Sequence, residues 1–183
     1  AGQFAFVTFE RGEGQHPFTL CNADSGQGEL RFAIKALGDY TAQLAARVRV
    51  GQEVSIEGPY GRFDFRRDRA PEQVWVAAGI GATPFVAWLE SLQDAPDQAP
   101  RVHLHYCVRN VGEAVFAERL QALCAGLPSI TLKIHHSDET GFARAEELFA
   151  GSGPAASVWF CGPQGFADAL RAGGVAVLMR HAT

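Results

Sequence analysis

The chain lacks most of the features that would specialise it. Its longest apolar runs, such as residues 74–78, fall far short of the ~20 residues a membrane-spanning helix needs. It lacks surplus positive charge: 16 basic residues stand against 20 acidic ones, for a net charge of −4. This argues against sequence-independent binding of DNA or RNA, which feeds on a positive surface, so no nucleic-acid partner is expected. The four cysteines, Cys21, Cys107, Cys124 and Cys161, fit neither zinc nor iron–sulfur spacing. Each lies in or beside an apolar run, which predicts reduced thiols in an intracellular protein. No low-complexity tract, internal repeat or secretory signal is present. No initiator methionine precedes Ala1, so the polypeptide is expected to begin upstream.

What is present falls into two textures within 183 residues. Residues 1–68 read as short strands between glycine-rich turns: 3–9, 18–21, 30–37 and 53–57. Leu30, Phe32, Ile34 and Ala36 alternate on one face of the third, and residues 40–47 read as a helix. This pattern predicts an antiparallel β-barrel. Four strands cannot close one, so one or two are expected upstream of Ala1. The charged stretch 66–72 reads as a solvated linker, with the domain boundary there.

Residues 69–183 alternate strand and helix, which predicts an α/β doubly wound parallel sheet. Strands are expected at 74–78, 102–108, 130–136, 158–161 and 175–179. Helices are expected at 83–93, 111–125, 143–149 and 163–172, with Val115, Phe116, Leu120 and Leu123 sharing a face.

Four segments carry candidate chemistry. Gly79-Ile80-Gly81-Ala82-Thr83-Pro84 follows a buried strand and opens a helix. Its glycines allow close backbone approach, and the helix start offers free amides to a phosphate, although a plain strand–helix turn reads the same way. Cys161-Gly162-Pro163 ends another strand on the same rim, a place that a structural cysteine would equally occupy. His16-Pro17-Phe18-Thr19 offers a ring to stack on a flat cofactor and a hydroxyl for a ring nitrogen, or is an ordinary strand. Ile34, Lys35, Gly38, Tyr40 and Thr41 surround a second helix start, which capping by Asp39 or Thr41 would also explain. His103, His105, His135 and His136 lack a completing carboxylate or thiol and read as a polar strand face, so no metal site is expected.

In this order, the segments resemble the ferredoxin reductase-type flavoprotein family, in the form typical of its ferric reductase and NADPH oxidase-like dehydrogenase branch. The resemblance covers nearly the whole chain. It implies an FAD-binding barrel joined to an NAD(P)H-binding domain, in an oxidoreductase that passes a hydride from NAD(P)H to FAD and single electrons onward. Phe18 would lie near the isoalloxazine, with the Thr19 hydroxyl toward flavin N5. His16 would stand where the family often has a phosphate-contacting Arg, and the Gly38–Thr41 turn would hold the pyrophosphate. Gly58-Pro59-Tyr60-Gly61 would be the barrel-closing turn. Gly79, Gly81, Thr83 and Pro84 would form the nicotinamide-nucleotide loop. Gly162 and Pro163 would set Cys161 beside the nicotinamide C4, making Thr19 and Cys161 the catalytic pair.

The chain end, 177–183, lacks the aromatic residue that shields the flavin in many members. No plant-type iron–sulfur run is present, so electrons leave for another acceptor, with the heme of an upstream membrane segment as one candidate. The cofactors are FAD and NADPH or NADH. Arg109, beyond the second α/β strand, suits a 2′-phosphate and tips the reading to NADPH. Ser137 could contribute, whereas Asp138 would repel it. Arg109 reads otherwise as a solvated charge. The expected location is the cytoplasm, either free or as the cytoplasmic domain of a membrane-bound protein. A non-catalytic nucleotide-binding or electron-relay subunit is the competing reading.

Overall fold

The computed structural model describes residues 1–173 and the backbone of residues 180–181. The expected strand at 175–179 lies outside the described residues, apart from which the chain forms two sheets.

The first is antiparallel, in the order β2–β1–β3, with β1 at Phe4–Thr8, β2 at His16–Thr19 and β3 at Ser55–Tyr60. Ala5 and Val7 of β1 point inward, the period-2 pattern of a half-buried strand. Every residue of β3, an edge strand of this sheet, is exposed. Helix α1 spans Asp39–Arg47 and buries Leu44.

Three expectations in this half need correction. Residues 30–37 form no strand: a single bridge links Phe32 to Leu20, while Leu30 and Leu37 stay exposed. Among the described residues the alternating pattern pairs with no second strand beyond that bridge. The Asn22 side chain shapes the approach instead, donating to the Ala23 and Glu29 carbonyls and accepting from the Arg31 amide. Gly58-Pro59-Tyr60 is not a turn but the end of β3, with a cis Gly58–Pro59 bond and a register irregularity against β1. The stretch 66–72 is also more structured than a linker. It opens in a turn of 3-10 helix, Phe65–Arg67, and ends inside the next strand.

The second sheet is parallel throughout, in the order β6–β5–β4–β7–β8: β4 is Glu72–Ala78, β5 Arg101–Val108, β6 Ile130–His136, β7 Ser157–Cys161 and β8 Arg180–His181. Helices α2 (Thr83–Gln93) and α3 (Ala117–Ala125) cover one face. The short α4 (Ser137–Thr140) follows β6 directly. Helices α5 (Ala145–Leu148) and α6 (Gln164–Ala172) cover the other face through Leu148, Ala167 and Leu170.

The expected helix at 111–125 is broken. Asn110 Oδ1 accepts from the Glu113 amide and holds a separate turn, Val111–Glu113, so the helix starts only at Ala117 and Val115 remains exposed. The other expected elements of this half fall within two residues of their predicted bounds among the described residues, while α4 and β8 were not expected. No helix among the described residues is long and apolar enough to cross a membrane.

The two halves share a core. Phe63 and Phe65, from the end of the first half, are buried among Trp75, Phe85, Trp88 and Trp159 of the second. Arg66 covers them, its guanidinium 4.4 Å from the Phe65 ring and donating to Ser91 Oγ at 2.9 Å. Polar ties add to this: the Ala23 amide donates to Glu90 Oε2, whose other oxygen takes Arg119, and Lys35 pairs with Glu113.

Candidate active site

A parallel sheet of this order has its switch point between β4 and β7, because β5 and β6 are added on one side of β4 and the chain then crosses to place β7 and β8 on the other. The crevice beyond the carboxyl ends of those two strands is where such sheets bind ligands. There the sequence places Gly79–Pro84 and Cys161–Pro163, and the structure brings the two turns into contact. A Cβ on Gly81 would collide with the Cys161 carbonyl, and one on Gly162 would lie 2.6 Å from Ala78 Cβ. These glycines are needed for the turns to pass each other. Gly79 differs: its φ is +54°, and nothing lies within 4 Å of where a Cβ would stand. That open side, at a backbone shape glycine adopts without strain, is a cradle a ligand can approach closely. Pro84 occupies the first turn of α2, and the Thr83 hydroxyl donates to the Ile80 carbonyl.

Cys161 packs against the aromatic core, and burial pushes its thiol up to about 12. It is therefore a neutral, polarizable group at ordinary pH, not a thiolate nucleophile. All four cysteines are free, and burial also raises Cys21, Cys107 and Cys124.

On the flavin-side candidates, β2 and α1 meet. The His16 and Tyr40 rings stack with centroids 3.6 Å apart and planes 13° from parallel. Tyr40 donates its phenol to Glu13 at 2.9 Å, and burial together with that carboxylate raises it to about 12. Arg47 in turn binds Glu10 and Glu13. The Phe18 ring is half-buried, with His16 and Phe9 as ring neighbours. Thr19 ends β2 opposite Phe4, so alternation puts its side chain on the other face from Phe18.

At the start of α1, Thr41 Oγ1 accepts from the Leu37 and Gly38 amides, a local cap that leaves the first-turn amides of the helix for another acceptor. Gly38 likewise has nothing within 4 Å of a Cβ position, so its backbone is open to solvent.

A chain of contacts connects the two groups. The Leu20 amide, next to Thr19, donates to the Gln3 carbonyl. A Cβ on neighbouring Gly2 would meet the Phe63 carbonyl and Trp88 Nε1. Phe63 and Trp88 both touch Trp159, two residues before Cys161. Ile34 is half-buried just before Lys35, and Lys35 reaches Glu113 Oε2 at 3.1 Å, beyond the end of β5. Arg109, on the same rim, is exposed and lies 3.8 Å from Glu113 Oε1.

Glu113 and Glu13, which sequence reasoning did not single out, adjoin candidate site residues: Glu113 contacts Lys35 and Arg109, and Glu13 contacts Tyr40. Nothing in their local pattern marks either one, since each acts through a partner distant in the chain. The histidines are polar strand neighbours: His103 meets Glu72 and Thr131, His105 Nδ1 lies 2.9 Å from His135 Nε2, and His136 meets Glu139. Among the described residues no group of three or more such side chains could hold a metal.

Comparison with known proteins agrees with this geometry. Residues 1–64 match the FAD-binding domain family, and residues 75–172 match the oxidoreductase NAD-binding domain family. The anthranilate 1,2-dioxygenase electron transfer component of Acinetobacter baylyi is 30% identical over 121 residues, 65% of this chain and 35% of that protein. NADH-cytochrome b5 reductase 2 of Yarrowia lipolytica is 23% identical over 180 residues, covering 90% of this chain and 61% of that one. The flavohem-like FAD/NAD-binding domain of nitric oxide dioxygenase from Vibrio cholerae shares the fold, with a TM-score of 0.82 at 23% identity over 99% of this chain and 83% of that one. The chain spans about a third of the length of several curated relatives it matches. An FAD-binding half followed by an oxidoreductase NAD-binding half, on this fold, makes the chain a member of the ferredoxin reductase-type flavoprotein family.

Proposed function

We propose that the chain takes a hydride from a nicotinamide coenzyme onto FAD and passes single electrons to a separate acceptor. The observation that carries this reading is the contact between the Gly79–Pro84 and Cys161–Pro163 turns at the switch point, joined through Trp159, Trp88 and Gly2 to the Thr19 end of β2. FAD, when bound, supplies the exchange between two-electron and one-electron steps.

The protein's contribution is positioning. Phe18 offers a ring face to the flavin, and Thr19 a hydroxyl to a ring nitrogen. His16, Tyr40 and the Gly38–Thr41 turn hold its phosphates, with Ile34 and Lys35 alongside. Gly79, Gly81, Thr83 and Pro84 seat the coenzyme's pyrophosphate. Gly162 and Pro163 fix the turn that presents Cys161, whose neutral thiol fills the space beside the nicotinamide without adding charge. The boundary between the two units falls within residues 66–72.

For the acceptor, the relatives' names point to a one-electron carrier: one is an electron transfer component of a dioxygenase, another a cytochrome b5 reductase. The ferric reductase-like form of His16–Thr19 supports the narrower reading in which the acceptor is heme in a membrane segment of a longer protein, with this chain on the cytoplasmic side.

The test is anaerobic mixing of the purified chain and FAD with NADH or NADPH. Loss of the yellow flavin absorbance, far faster than for free FAD, is the expected result. No bleaching with either coenzyme, despite bound FAD, would leave a non-catalytic relay subunit.

A further inference from the structure

Helix α1 rests on the first sheet through little apolar contact. Of its nine residues only Leu44 is buried, so apolar packing alone fixes the rotation of the helix weakly. Polar side chains supply the rest, and they come from the loop that joins β1 to β2. Tyr40, in the first turn, and Arg47, in the last, lie seven residues apart and so share a face of the helix. Both reach Glu13. The Tyr40 phenol donates to Glu13 Oε2 at 2.9 Å, and Arg47 Nη2 donates to Glu13 Oε1 at 3.0 Å. One carboxylate therefore grips both ends of the helix, with one oxygen for each.

Glu13 is better placed for this than its neighbour. Glu10 also bonds to Arg47, but its side chain is 48% exposed, against 16% for Glu13, and solvent weakens its hold. The loop is itself anchored: Gln52 Nε2 donates to the Phe9 carbonyl at 2.6 Å, and the Glu13 amide donates to the Glu10 carbonyl. The Tyr40 ring carries the constraint onward, because the His16 imidazole lies flat on it, with centroids 3.6 Å apart. A phenol free to turn would release that plane; a charge-assisted bond to a half-buried carboxylate fixes it.

We propose that Glu13 is a positioning residue for the phosphate-bearing end of the flavin cofactor: its carboxylate sets the Tyr40 ring, and through it the plane of His16 and the seat of the Gly38–Thr41 turn. The inference rests on the reading of β2 and α1 as the flavin site. By charge alone, a carboxylate here opposes a phosphate. Positioning acts in the opposite direction, so the sign of one measurement separates the two.

The experiment is titration of the purified chain with FAD and, separately, with riboflavin, which lacks the phosphates, followed by flavin fluorescence anisotropy. Glu13→Ala and Tyr40→Phe, both checked for folding by circular dichroism, should each weaken FAD binding about tenfold, the scale of one lost charge-assisted hydrogen bond. The double variant should lose at most about twofold beyond Glu13→Ala, because both changes remove the same contact. Riboflavin should be held equally by all four chains, whether weakly or not at all. An FAD affinity that is unchanged or raised in either variant overturns the inference and leaves the flavin site standing. So do losses that multiply in the double variant, and so does a riboflavin affinity that falls as far as that for FAD, which marks a general loosening. Should Glu13→Ala fail to fold, Tyr40→Phe decides by the same criteria. Failure of FAD to bind the unsubstituted chain overturns the inference and the reading of the flavin site together.

Discussion

Phe63 lies face to face on Trp88, with ring centroids 4.8 Å apart and planes inclined by 21°, and both rings meet Trp159 edge-on. Phe63 belongs to the stretch that leaves the first sheet, yet its surroundings are those of the second sheet's core. Replacing it with alanine removes a ring from a packed site, so Phe63→Ala should cost about 3–5 kcal/mol. Urea denaturation followed by tryptophan fluorescence would measure this; a loss below about 1 kcal/mol would mean that the seam collapses around the gap.

The two neighbouring glycines of the β4 turn should respond differently to alanine. Gly79→Ala meets open space and pays only for its left-handed backbone, about 1–2 kcal/mol. Gly81→Ala must push the Cys161 backbone aside. The melting temperature of the Gly81 variant should fall further, whereas Gly79→Ala, which fills the side open to a ligand, should lose more affinity for ADP-ribose. The reverse order of melting temperatures would contradict the contact between the two turns.

Thr19→Val keeps the volume and removes the hydroxyl. It should weaken FAD binding or slow flavin reduction in stopped-flow absorbance. Unchanged behaviour in both measurements would remove Thr19 from the flavin site.

Cys161→Ala should slow hydride transfer more than it weakens coenzyme binding, since the proposed reading sets the thiol beside the reacting ring. Burial holds the thiol neutral to about 12. The reduction rate should therefore show no ionisation of Cys161 between about pH 6 and 9. A rate step in that range, abolished by the alanine variant, would assign Cys161 an acid–base role instead.

Acid should loosen the second half through His105. Burial, with the charges of His135 and Lys133 next, lowers it to about 4 in the folded chain, and His135 is lowered in the same direction. A base whose folded pKa is depressed binds its proton more readily when unfolded. Stability is therefore full above the ordinary value near 6.5 and declines as pH falls toward about 4. Urea midpoints across that window should drop with acidity, and His105→Gln should flatten the slope.

The sheet half was largely legible because its strands are continuous apolar runs, each separated from the next by a helical period that glycine, proline or aspartate punctuates. That alternation predicts the parallel sheet, whereas the strand order β6–β5–β4–β7 is set by tertiary packing and is not read from it. The first half was harder to read. The pattern of 30–37 has strand periodicity, but periodicity describes what a face would bury, and that segment has only the Leu20–Phe32 bridge to pair with.

The glycine turns and Cys161 were visible as motifs, whereas the contacts around the candidate site were not. Glu113 holds Lys35 from 78 residues away. Tyr40 stacks on His16 and bonds to Glu13, 27 residues away in sequence. Such pairings come from tertiary contact and leave no local signature.

Phe63 and Phe65 act as dowels driven from one half into the other. Swinging the halves apart would draw two rings into water, at about 1.5–3 kcal/mol apiece. A supple joint of polar residues would carry no such penalty. Any ligand seated between the two halves would meet walls held in one position by that seam.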